Sequence, residues 1–302
     1  MASQQSDALA DLYRDWGQRI AKDPGMPLES FRAIFDEWPT VTAEPDGVHF
    51  REDVVADLPV IWCEPDGADE KRLLICFHGG GYVTSSRHTH RKMFGHVARA
   101  AQATAVIVEY GRTPENPHPG PVTDGLSAYR WALDAGYEPS RIGLVGDSAG
   151  GGLAVATALA ARQAELPAPG AVYLMSAWLD LRASGESYDQ NAGTDLVVSR
   201  PVMLSLAPML LGETGDLDDP LANPIVADLS GFPPTLLQVG SHETLLDDSR
   251  VFADRARQAG ADARVEVEPD MQHVFQFLAG TAPEADEAIE RAGSWLQSTL
   301  QA

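Results

Sequence analysis

The stretch from residue 142 to residue 159 constrains the fold of this chain more than any other. It begins with a short apolar run and passes through GDSAG, residues 146–150, into a segment of small residues. This order predicts a strand, a sharp turn and a helix, with Ser148 at the turn. Gly146 and Gly150 each stand two residues from Ser148, where a side chain would collide with the neighbouring strand or helix. In this context the pattern G-x-S-x-G is typical of a serine nucleophile.

Strand patterns alternate with helical patterns along most of the chain. Apolar runs of strand length lie at residues 47–55, 58–63, 72–77, 104–109, 141–146, 171–175, 234–239 and 263–267. Helical stretches lie at residues 88–102, 122–135, 149–164, 244–259 and 283–300. Continuous apolar strands that alternate with helices predict an α/β protein with a mostly parallel sheet covered on both faces.

Two segments stand outside this alternation. Residues 6–22 and 28–38 place apolar side chains at helical spacing before the first strand, so two amphipathic helices are expected there. After the sixth strand, about 60 residues pass before the next one, too many for a plain crossover. We expect an inserted helical cap at about 181–222 that packs against the N-terminal helices. The predicted organisation is therefore N-terminal cap helices in 1–45 and a catalytic domain in 46–302 that carries the insertion.

Charge and cysteine content exclude several classes of protein. The 302 residues include 22 Lys and Arg against 44 Asp and Glu, a formal net charge of −22. Such a field repels phosphate backbones and anionic membranes, so neither nucleic acid nor a membrane is an expected partner. The sequence contains neither a membrane-spanning stretch nor the apolar region of a signal peptide, which predicts a cytoplasmic protein. Cys63 and Cys76 lie in apolar runs and are expected to be buried free thiols.

A run of glycines follows the strand at 72–77. The sequence HGGGY at 78–82 leaves backbone N–H groups unshielded. Acyl transfer needs such donors for the negative oxygen of its tetrahedral intermediate, and the HGGG sequence is a known form of this device in lipases and esterases. We expect the amides of Gly79, Gly80 and Ala149 to form an oxyanion hole, with the histidine that precedes the glycines stabilising their loop.

An acid and a base follow the last two strands. Glu243 lies in the loop after the seventh strand, whereas Asp247 and Asp248 fall in the first turn of the next helix, where acidic residues favour the helix dipole. His273 follows the last strand. The order Ser148, Glu243, His273 is the order of serine, acid and histidine in α/β hydrolases. We predict these three as the catalytic residues, with the carboxylate orienting the imidazole.

The other histidines are assigned to the surface or to loops. His88, His90 and His96 are expected to be solvated helix residues, His118 a loop residue and His242 at most a neighbour of the pocket. No carboxylate or cysteine stands at a spacing that would complete a metal site with the first three. The sequence also contains no nucleotide or flavin signature, so neither a metal nor a cofactor is expected.

These motifs together resemble the bacterial hormone-sensitive lipase family of α/β hydrolases, in its branch with a GDSAG motif. The likeness rests on residues 78–82 and 146–151 together with the downstream Glu243 and His273. It covers roughly residues 60–280. Because several motifs must coincide in a fixed order, the resemblance is specific.

Two further segments resemble the family with departures. YGRTPENP at 110–117 is similar to its Y-R-L-A-P-E-x-P segment, and DPLANP at 219–224 is similar to its D-P-x-x-S-P segment, with Asn223 in place of serine. The family's acid is usually Asp in D-P-L-x-D. Here that segment reads ETLLD, so the resemblance implies Glu243 as the acid and leaves Asp247 as an alternative.

The resemblance implies an α/β-hydrolase fold with a helical cap. It also implies a serine carboxylesterase that hydrolyses short-chain acyl esters of small molecules through an acyl-enzyme on Ser148. A lactone hydrolase, a deacetylase of a small metabolite and an acyltransferase stay open as alternatives. A non-enzymatic ligand-binding scaffold is disfavoured, because the three chemical positions and the glycines are all present. The resemblance further suggests a homodimer through an edge strand.

The cap is expected to determine substrate choice. Two interpretations of its aromatic and apolar side chains stay open, plain packing and the wall of a substrate pocket. The candidate substrate-binding residues are Trp16, Phe35, Trp38, Tyr82, Trp178 and Leu204.

Overall fold

The computed structural model describes residues 2–213 and 215–301. Its strands are β1 (Val48–Val55), β2 (Leu58–Pro65), β3 (Asp69–Phe77), β4 (Ala103–Val108), β5 (Ile142–Asp147), β6 (Ala171–Met175), β7 (Thr235–Gly240) and β8 (Ala263–Glu268). They form one sheet with the spatial order β1-β2-β4-β3-β5-β6-β7-β8. β2 pairs antiparallel with β1 and β4, and the other neighbouring pairs are parallel. The predicted fold class and mostly parallel sheet are confirmed.

Helices cover both faces of the sheet. They are α1 (Asp7–Lys22), α2 (Leu28–Phe35), α3 (Arg87–Ala101), α4 (Gly120–Asp134), α5 (Ser148–Gln163), α6 (Ser187–Gln190), α7 (Arg200–Leu211), α8 (Leu246–Gln258) and α9 (Pro283–Thr299). Side chains of α4, α5 and α8 share one buried cluster with Leu73, Ile75 and Phe77 of β3. Side chains of α1, α3 and α9 share a second cluster with Leu74 and Cys76. Because successive side chains of a strand point to opposite faces, β3 is buried on both sides and reads as a continuous apolar run.

Two element boundaries differ from the predicted ones for physical reasons. β3 begins at Asp69, which pairs with Ala103 ahead of a shift in register. Its first residues are polar, so a search for apolar runs places the start of this strand too late. The helix predicted over 28–38 ends at Phe35, and Trp38–Thr40 form a separate 3₁₀ turn that contains a proline. Pro39 has no backbone N–H to donate to the carbonyl of Phe35, four residues earlier, so the α-helical hydrogen bonds cannot continue to this position.

The N-terminal helices and the interval between β6 and β7 both contribute to the cavity that contains the candidate nucleophile. α2 and α7 supply parts of its wall. α1 packs against α2, with 5.0 Å between the ring centroids of the buried Trp16 and of Phe35. The domain boundaries 1–45, 46–302 and 181–222 remain predictions about how the chain is organised.

Two expectations from composition can be compared with the structure. In the part of the chain that is described, no helix has the length and apolar character to cross a lipid bilayer. Cys63 and Cys76 are free and buried, as predicted.

The two thiols are expected to be unreactive in the folded protein. Burial raises the pKa of both Cys63 and Cys76 above the ordinary value of a thiol, and the thiolate is the form that reacts. Ellman's reagent should therefore modify neither residue in the native protein and both in guanidinium chloride. Rapid modification under native conditions would contradict the burial of these strands.

Candidate active site

Ser148 occupies the tight turn between β5 and α5. Its φ of +50° lies in the left-handed region that residues other than glycine rarely adopt. A Cβ on Gly146 would lie 2.1 Å from the carbonyl oxygen of Gly150, and one on Gly150 would lie 2.0 Å from the carbonyl oxygen of Phe77. Both positions therefore require glycine, in agreement with the sequence pattern.

A buried hydrogen bond joins the predicted acid to the predicted base. His273 Nδ1 lies 2.8 Å from Glu243 Oε2, and the two side chains are 3% and 0% exposed. Glu243 Oε1 accepts hydrogen bonds from the Ser176 hydroxyl at 2.7 Å and from the backbone N–H of Gly240 at 2.5 Å. Because the acid follows β7 and the base follows β8, two neighbouring parallel strands bring these residues together.

Glu243 controls the protonation of His273. Burial alone would lower the pKa of this histidine, but the hydrogen bond and the charge of Glu243 outweigh burial and raise the pKa above 6.5. Burial raises the pKa of the Glu243 carboxyl, and the hydrogen bond from the imidazole opposes that shift. With Nδ1–H directed at the carboxylate, Nε2 is the nitrogen left to accept a proton, as a general base requires.

Ser148 and His273 line the same cavity. The hydrogen bonds of the described residues do not include one between these two side chains. Contacts of this kind are often long until a substrate binds and tighten in the complex. The structure therefore brings the hydroxyl and the imidazole to one space and pairs the imidazole with its acid.

The glycine loop corrects one of the predicted oxyanion donors. The backbone N–H of Gly79 donates to Asp147 Oδ1 at 3.0 Å, so this amide faces a buried carboxylate and not the cavity. Gly80 and Gly81 have φ values of +100° and +62°, and both line the cavity beside the serine. Gly81, which the sequence reasoning missed, replaces Gly79 as a candidate donor, together with Gly80 and Ala149. The signal in the sequence was the aspartate of GDSAG, since a buried carboxylate needs N–H partners.

His78 packs inside the glycine loop, consistent with its expected supporting role. Its ring stacks on Tyr110 with 4.3 Å between ring centroids, and its Nδ1–H donates to the carbonyl oxygen of Gly79. The Tyr110 hydroxyl donates to the backbone carbonyl of His78 at 2.7 Å. Burial lowers the pKa of His78 to about 4, so its ring is neutral near pH 7.

Two histidines that were predicted to be solvated are buried. His90 has no exposed surface, and its Nε2 lies 3.2 Å from Asp147 Oδ2. His96 is 5% exposed and donates from Nε2 to the carbonyl oxygen of Ala43. The prediction was wrong because α3 packs between β2, β4 and α9. The many basic residues of this helix make its sequence look solvent-exposed, although one face is buried. His88 is exposed, as predicted.

The two remaining loop histidines lie outside the cavity of the serine. His118 is buried and its Nε2 lies 2.9 Å from Asp219 Oδ2. His242 lies 3.7 Å from Asp270 and lines a different cleft. Within residues 2–213 and 215–301, no group of three or more His, Cys, Asp or Glu side chains is arranged to hold a metal ion.

The alternative acids are engaged elsewhere. Asp247 Oδ2 accepts a hydrogen bond from the backbone N–H of Ser187 at 2.8 Å. Asp248 is buried and accepts from two backbone amides of the loop after β6, at 2.9 Å each. Of the three candidate acids, Glu243 is the one that the described contacts place against the imidazole.

The cavity that contains the serine is small and apolar. Its volume is about 250 Å³. Its wall combines aromatic rings of the N-terminal region with aliphatic side chains from residues 197–206, and none of the described lining residues is an acid, a lysine or an arginine. The lining residues are Phe31, Phe35, Trp38, Gly80, Gly81, Val83, Thr84, Ser148, Val197, Val198, Val202, Met203, Ser205, Leu206 and His273. Such a wall suits a neutral apolar group.

Of the six candidate substrate-binding residues, two line this cavity and four do not, the buried Trp16 among the latter. Phe35 and Trp38 form part of the wall. Tyr82 and Trp178 are 4% and 1% exposed, with 6.2 Å between their ring centroids, and belong to the packing behind the wall. Leu204 is 46% exposed, so it faces away from the cavity. Sequence spacing cannot separate a wall from the layer behind it.

Comparison with known proteins shows which family this fold resembles. Residues 74–277 match a family model described as an α/β hydrolase fold. An acetyl-hydrolase of Streptomyces hygroscopicus is 39% identical over 237 residues, which cover 78% of this chain and 79% of that protein. An esterase of Acinetobacter venetianus is 34% identical over 222 residues, which cover 74% and 73%. The crystal structure of an esterase from the bacterial hormone-sensitive lipase family matches all of both chains with a TM-score of 0.94 at 40% identity.

The His273 imidazole should titrate above 6.5, and replacing its partner should lower that value. Glu243→Gln removes the charge that favours the imidazolium and keeps the burial that disfavours it, so the pKa of His273 falls. NMR titration of histidine-labelled protein measures the change, with His273→Gln to assign the resonance among the 8 histidines. An unchanged or higher pKa in Glu243→Gln would contradict the pairing.

The two glycines that flank Ser148, Gly146 and Gly150, should not tolerate the addition of a single methyl group. In Gly150→Ala the new Cβ would overlap the carbonyl oxygen of Phe77, so we expect the free energy of unfolding to fall by about 3 kcal/mol. Gly17→Ala in α1 is the matched control, since no atom lies within 4 Å of the added Cβ. The control should be stabilised by about 0.5–1 kcal/mol. Equal unfolding free energies for the two variants in urea would refute the close approach of Gly150 to Phe77.

Proposed function

Because the chain belongs to the hormone-sensitive lipase family of α/β hydrolases and is a carboxylic ester hydrolase, we propose that it hydrolyses short-chain acyl esters through an acyl-enzyme on Ser148. The observation that carries the proposal is the buried Glu243–His273 hydrogen bond beside a small apolar cavity lined by Ser148. A hydroxyl, an imidazole and a carboxylate in this arrangement are the groups that covalent ester hydrolysis requires.

In the acylation step, His273 Nε2 takes the proton of the Ser148 hydroxyl while Oγ attacks the ester carbonyl carbon. The carbonyl electron pair moves to oxygen and forms a tetrahedral intermediate. When the bond to the alcohol oxygen breaks, His273 gives the proton to the departing alcohol, and the acyl group stays on Ser148. Glu243 remains ionised and stabilises the imidazolium that forms between these two transfers.

The negative oxygen of the intermediate needs donors that are already in place. We assign the backbone N–H groups of Gly80, Gly81 and Ala149 to this role, because the two glycines line the cavity and the alanine is the second residue of α5, within its first turn. Amides of a first helical turn have no intrahelical acceptor and are available to an anion. Gly79 contributes indirectly, since its bond to Asp147 fixes the loop. Loss of one such donor costs about 3–4 kcal/mol in comparable sites.

Deacylation repeats the sequence with water. His273 takes a proton from a water molecule, whose oxygen attacks the acyl carbon, and a second tetrahedral intermediate forms over the same amides. As the bond from Ser148 Oγ to the acyl carbon breaks, His273 returns the proton to Oγ and the free acid leaves. The enzyme is then in its starting state.

The cavity supports a preference for small neutral acyl groups. Its volume of about 250 Å³ is below the roughly 300–1,000 Å³ of most ligand pockets. Leu206 stands over the glycine loop, since a Cβ on Gly81 would lie 2.8 Å from Leu206 Cδ1. Met203 and Val202 continue the apolar wall along α7. An acyl chain that enters beside the serine soon meets these side chains.

A deacetylase of a small metabolite is the second candidate. One relative at 39% identity is named an acetyl-hydrolase, and an acetyl group fits a cavity of this size. The same triad also serves a lactone hydrolase. A substrate panel of p-nitrophenyl esters, O-acetyl and N-acetyl metabolites and lactones separates the three candidates by kcat/KM.

A homodimer through an edge strand stays part of the proposal. β8 lies at one edge of the sheet and pairs with β7 alone. Its Val267 is 37% exposed, so the edge presents an apolar side chain to a partner. The mass of the protein in solution, measured by light scattering, tests this assembly.

Removal of the nucleophile should abolish turnover. Ser148→Ala is expected to lower kcat for p-nitrophenyl acetate by on the order of 10⁶, as in other triads that lose the serine. Ser127→Ala, which removes a half-buried serine of α4 that does not line the cavity, should retain the wild-type rate. Hydrolysis by Ser148→Ala at a rate close to that of the wild type would end the proposal.

Shortening the side chain over the glycine loop should relax the preference for short chains. In Leu206→Ala the cavity extends along α7 and can accept a longer acyl chain. The ratio of kcat/KM for p-nitrophenyl octanoate to that for the acetate should therefore rise by about tenfold, the discrimination expected from burying one or two additional methylenes. Leu204→Ala, on the outer face of the same helix, is the control and should leave the ratio unchanged. If both variants show the wild-type ratio, α7 does not limit the acyl chain.

A further inference from the structure

We propose that Tyr13, in the N-terminal helix α1, is a positioning residue for the base of the reaction. It acts through the backbone of His273 and links that base to the substrate-facing Trp38. The inference deepens the proposed function, on which it rests.

The Tyr13 hydroxyl makes two buried hydrogen bonds. It donates to the backbone carbonyl oxygen of His273 at 2.8 Å and accepts from the indole Nε1–H of Trp38 at 3.0 Å. Tyr13 has no exposed surface, Trp38 is 2% exposed and His273 is 2% exposed. Trp38 and His273 both line the cavity. One hydroxyl of a distant helix thus connects a wall residue of the pocket with the predicted general base.

The peptide that follows His273 is in a conformation that needs such support. Val274 has φ +50° and ψ +51°, a left-handed conformation that is unfavourable for a β-branched residue. Strain of this kind persists only where the surroundings fix the backbone from several sides. Here the carbonyl oxygen of His273, which precedes Val274, accepts the hydrogen bond from Tyr13. The backbone N–H of Val274 donates to the Ser176 hydroxyl at 2.9 Å.

The same hydroxyl of Ser176 also donates to Glu243. The base is therefore held at three points: its carbonyl by Tyr13, the next amide by Ser176 and its ring by Glu243. Ser176 and Glu243 belong to the loops after β6 and β7, whereas Tyr13 belongs to a helix that precedes the sheet. Without the Tyr13 hydroxyl, the strained peptide has a buried carbonyl with no donor from that side, and the imidazole is free to shift relative to Ser148.

Tyr13→Phe tests the proposal, because it removes one oxygen atom and keeps the ring. We expect kcat for p-nitrophenyl acetate to fall between about 10- and 100-fold, the effect of a displacement of roughly 1 Å in a catalytic group, with KM within about twofold of the wild type. The rate at which a fluorophosphonate probe labels Ser148 should fall by the same factor, because labelling depends on the same base. Assays are run well below the unfolding temperature and normalised to labelled sites.

Tyr129→Phe is the matched control. Its hydroxyl also donates to a backbone carbonyl, that of Pro167, at 2.8 Å, and it lies on α4 away from the cavity. Tyr13→Phe loses two hydrogen bonds and Tyr129→Phe loses one, so both variants should lose stability, but Tyr129→Phe should keep the wild-type kcat and labelling rate. A wild-type kcat in Tyr13→Phe overturns the proposal, as does an equal loss of kcat in the two variants.

A double-mutant cycle with Glu243→Gln separates positioning from general stability. If Tyr13 and Glu243 orient the same imidazole, the kcat of the double variant should be higher than the product of the two single losses predicts. Losses that multiply would overturn the proposal. If Tyr13→Phe does not fold, Trp38→Phe takes its place, since it keeps the hydroxyl and removes the bond that orients it. That variant should slow the labelling of Ser148 several-fold, and an unchanged labelling rate would count against the link.

These outcomes are distinguishable from a failure of the proposed function. If Ser148→Ala remained active, the acyl-enzyme mechanism would be refuted, whatever the result for Tyr13→Phe. An inactive Ser148→Ala with a fully active Tyr13→Phe leaves the esterase mechanism in place and removes only the role of α1.

Discussion

The hydrogen bond between Glu243 and His273 is the interaction on which the site depends. It is buried, and the other oxygen of the carboxylate is satisfied by Ser176 and by the amide of Gly240. A buried carboxylate without such partners would be costly, and an imidazole without the carboxylate would lose both its orientation and its raised pKa. The parallel register of β7 and β8 makes this bond possible, because it delivers the two loops to the same edge of the sheet.

The N-terminal helices complete the site from the other side. Arg32 of α2 donates to the carbonyl oxygens of Val83 and Thr113 and forms an ion pair with Glu115, so that α2 is fixed to the glycine loop. α2 therefore forms part of the cavity wall. α1 supports the site from behind, through the hydrogen bond of Tyr13 to the backbone of His273. The small apolar cavity results from both segments, since neither α2 nor α7 encloses it alone.

The sequence predicted the sheet and the chemical groups better than their surroundings. Local patterns sufficed for the strand alternation and for the glycines around Ser148, since each depends on neighbours in the chain. Gly79 was assigned to the oxyanion hole because three consecutive glycines look alike in sequence, and only the contact with Asp147 distinguishes them. His90 was placed at the surface and Tyr82 in the pocket wall for a similar reason, because burial depends on helices and strands distant in the chain.

The proposed roles of the active-site residues can be tested most directly with a crystal structure of the protein after reaction with diethyl p-nitrophenyl phosphate. We expect a phosphorus–oxygen bond to Ser148 Oγ, with the phosphoryl oxygen about 3 Å from the amides of Gly80, Gly81 and Ala149. His273 Nε2 should stand next to the phosphorylated oxygen, with its Nδ1 still bonded to Glu243. Attachment of the phosphate to another residue, or a phosphoryl oxygen turned away from these three amides, would contradict these roles.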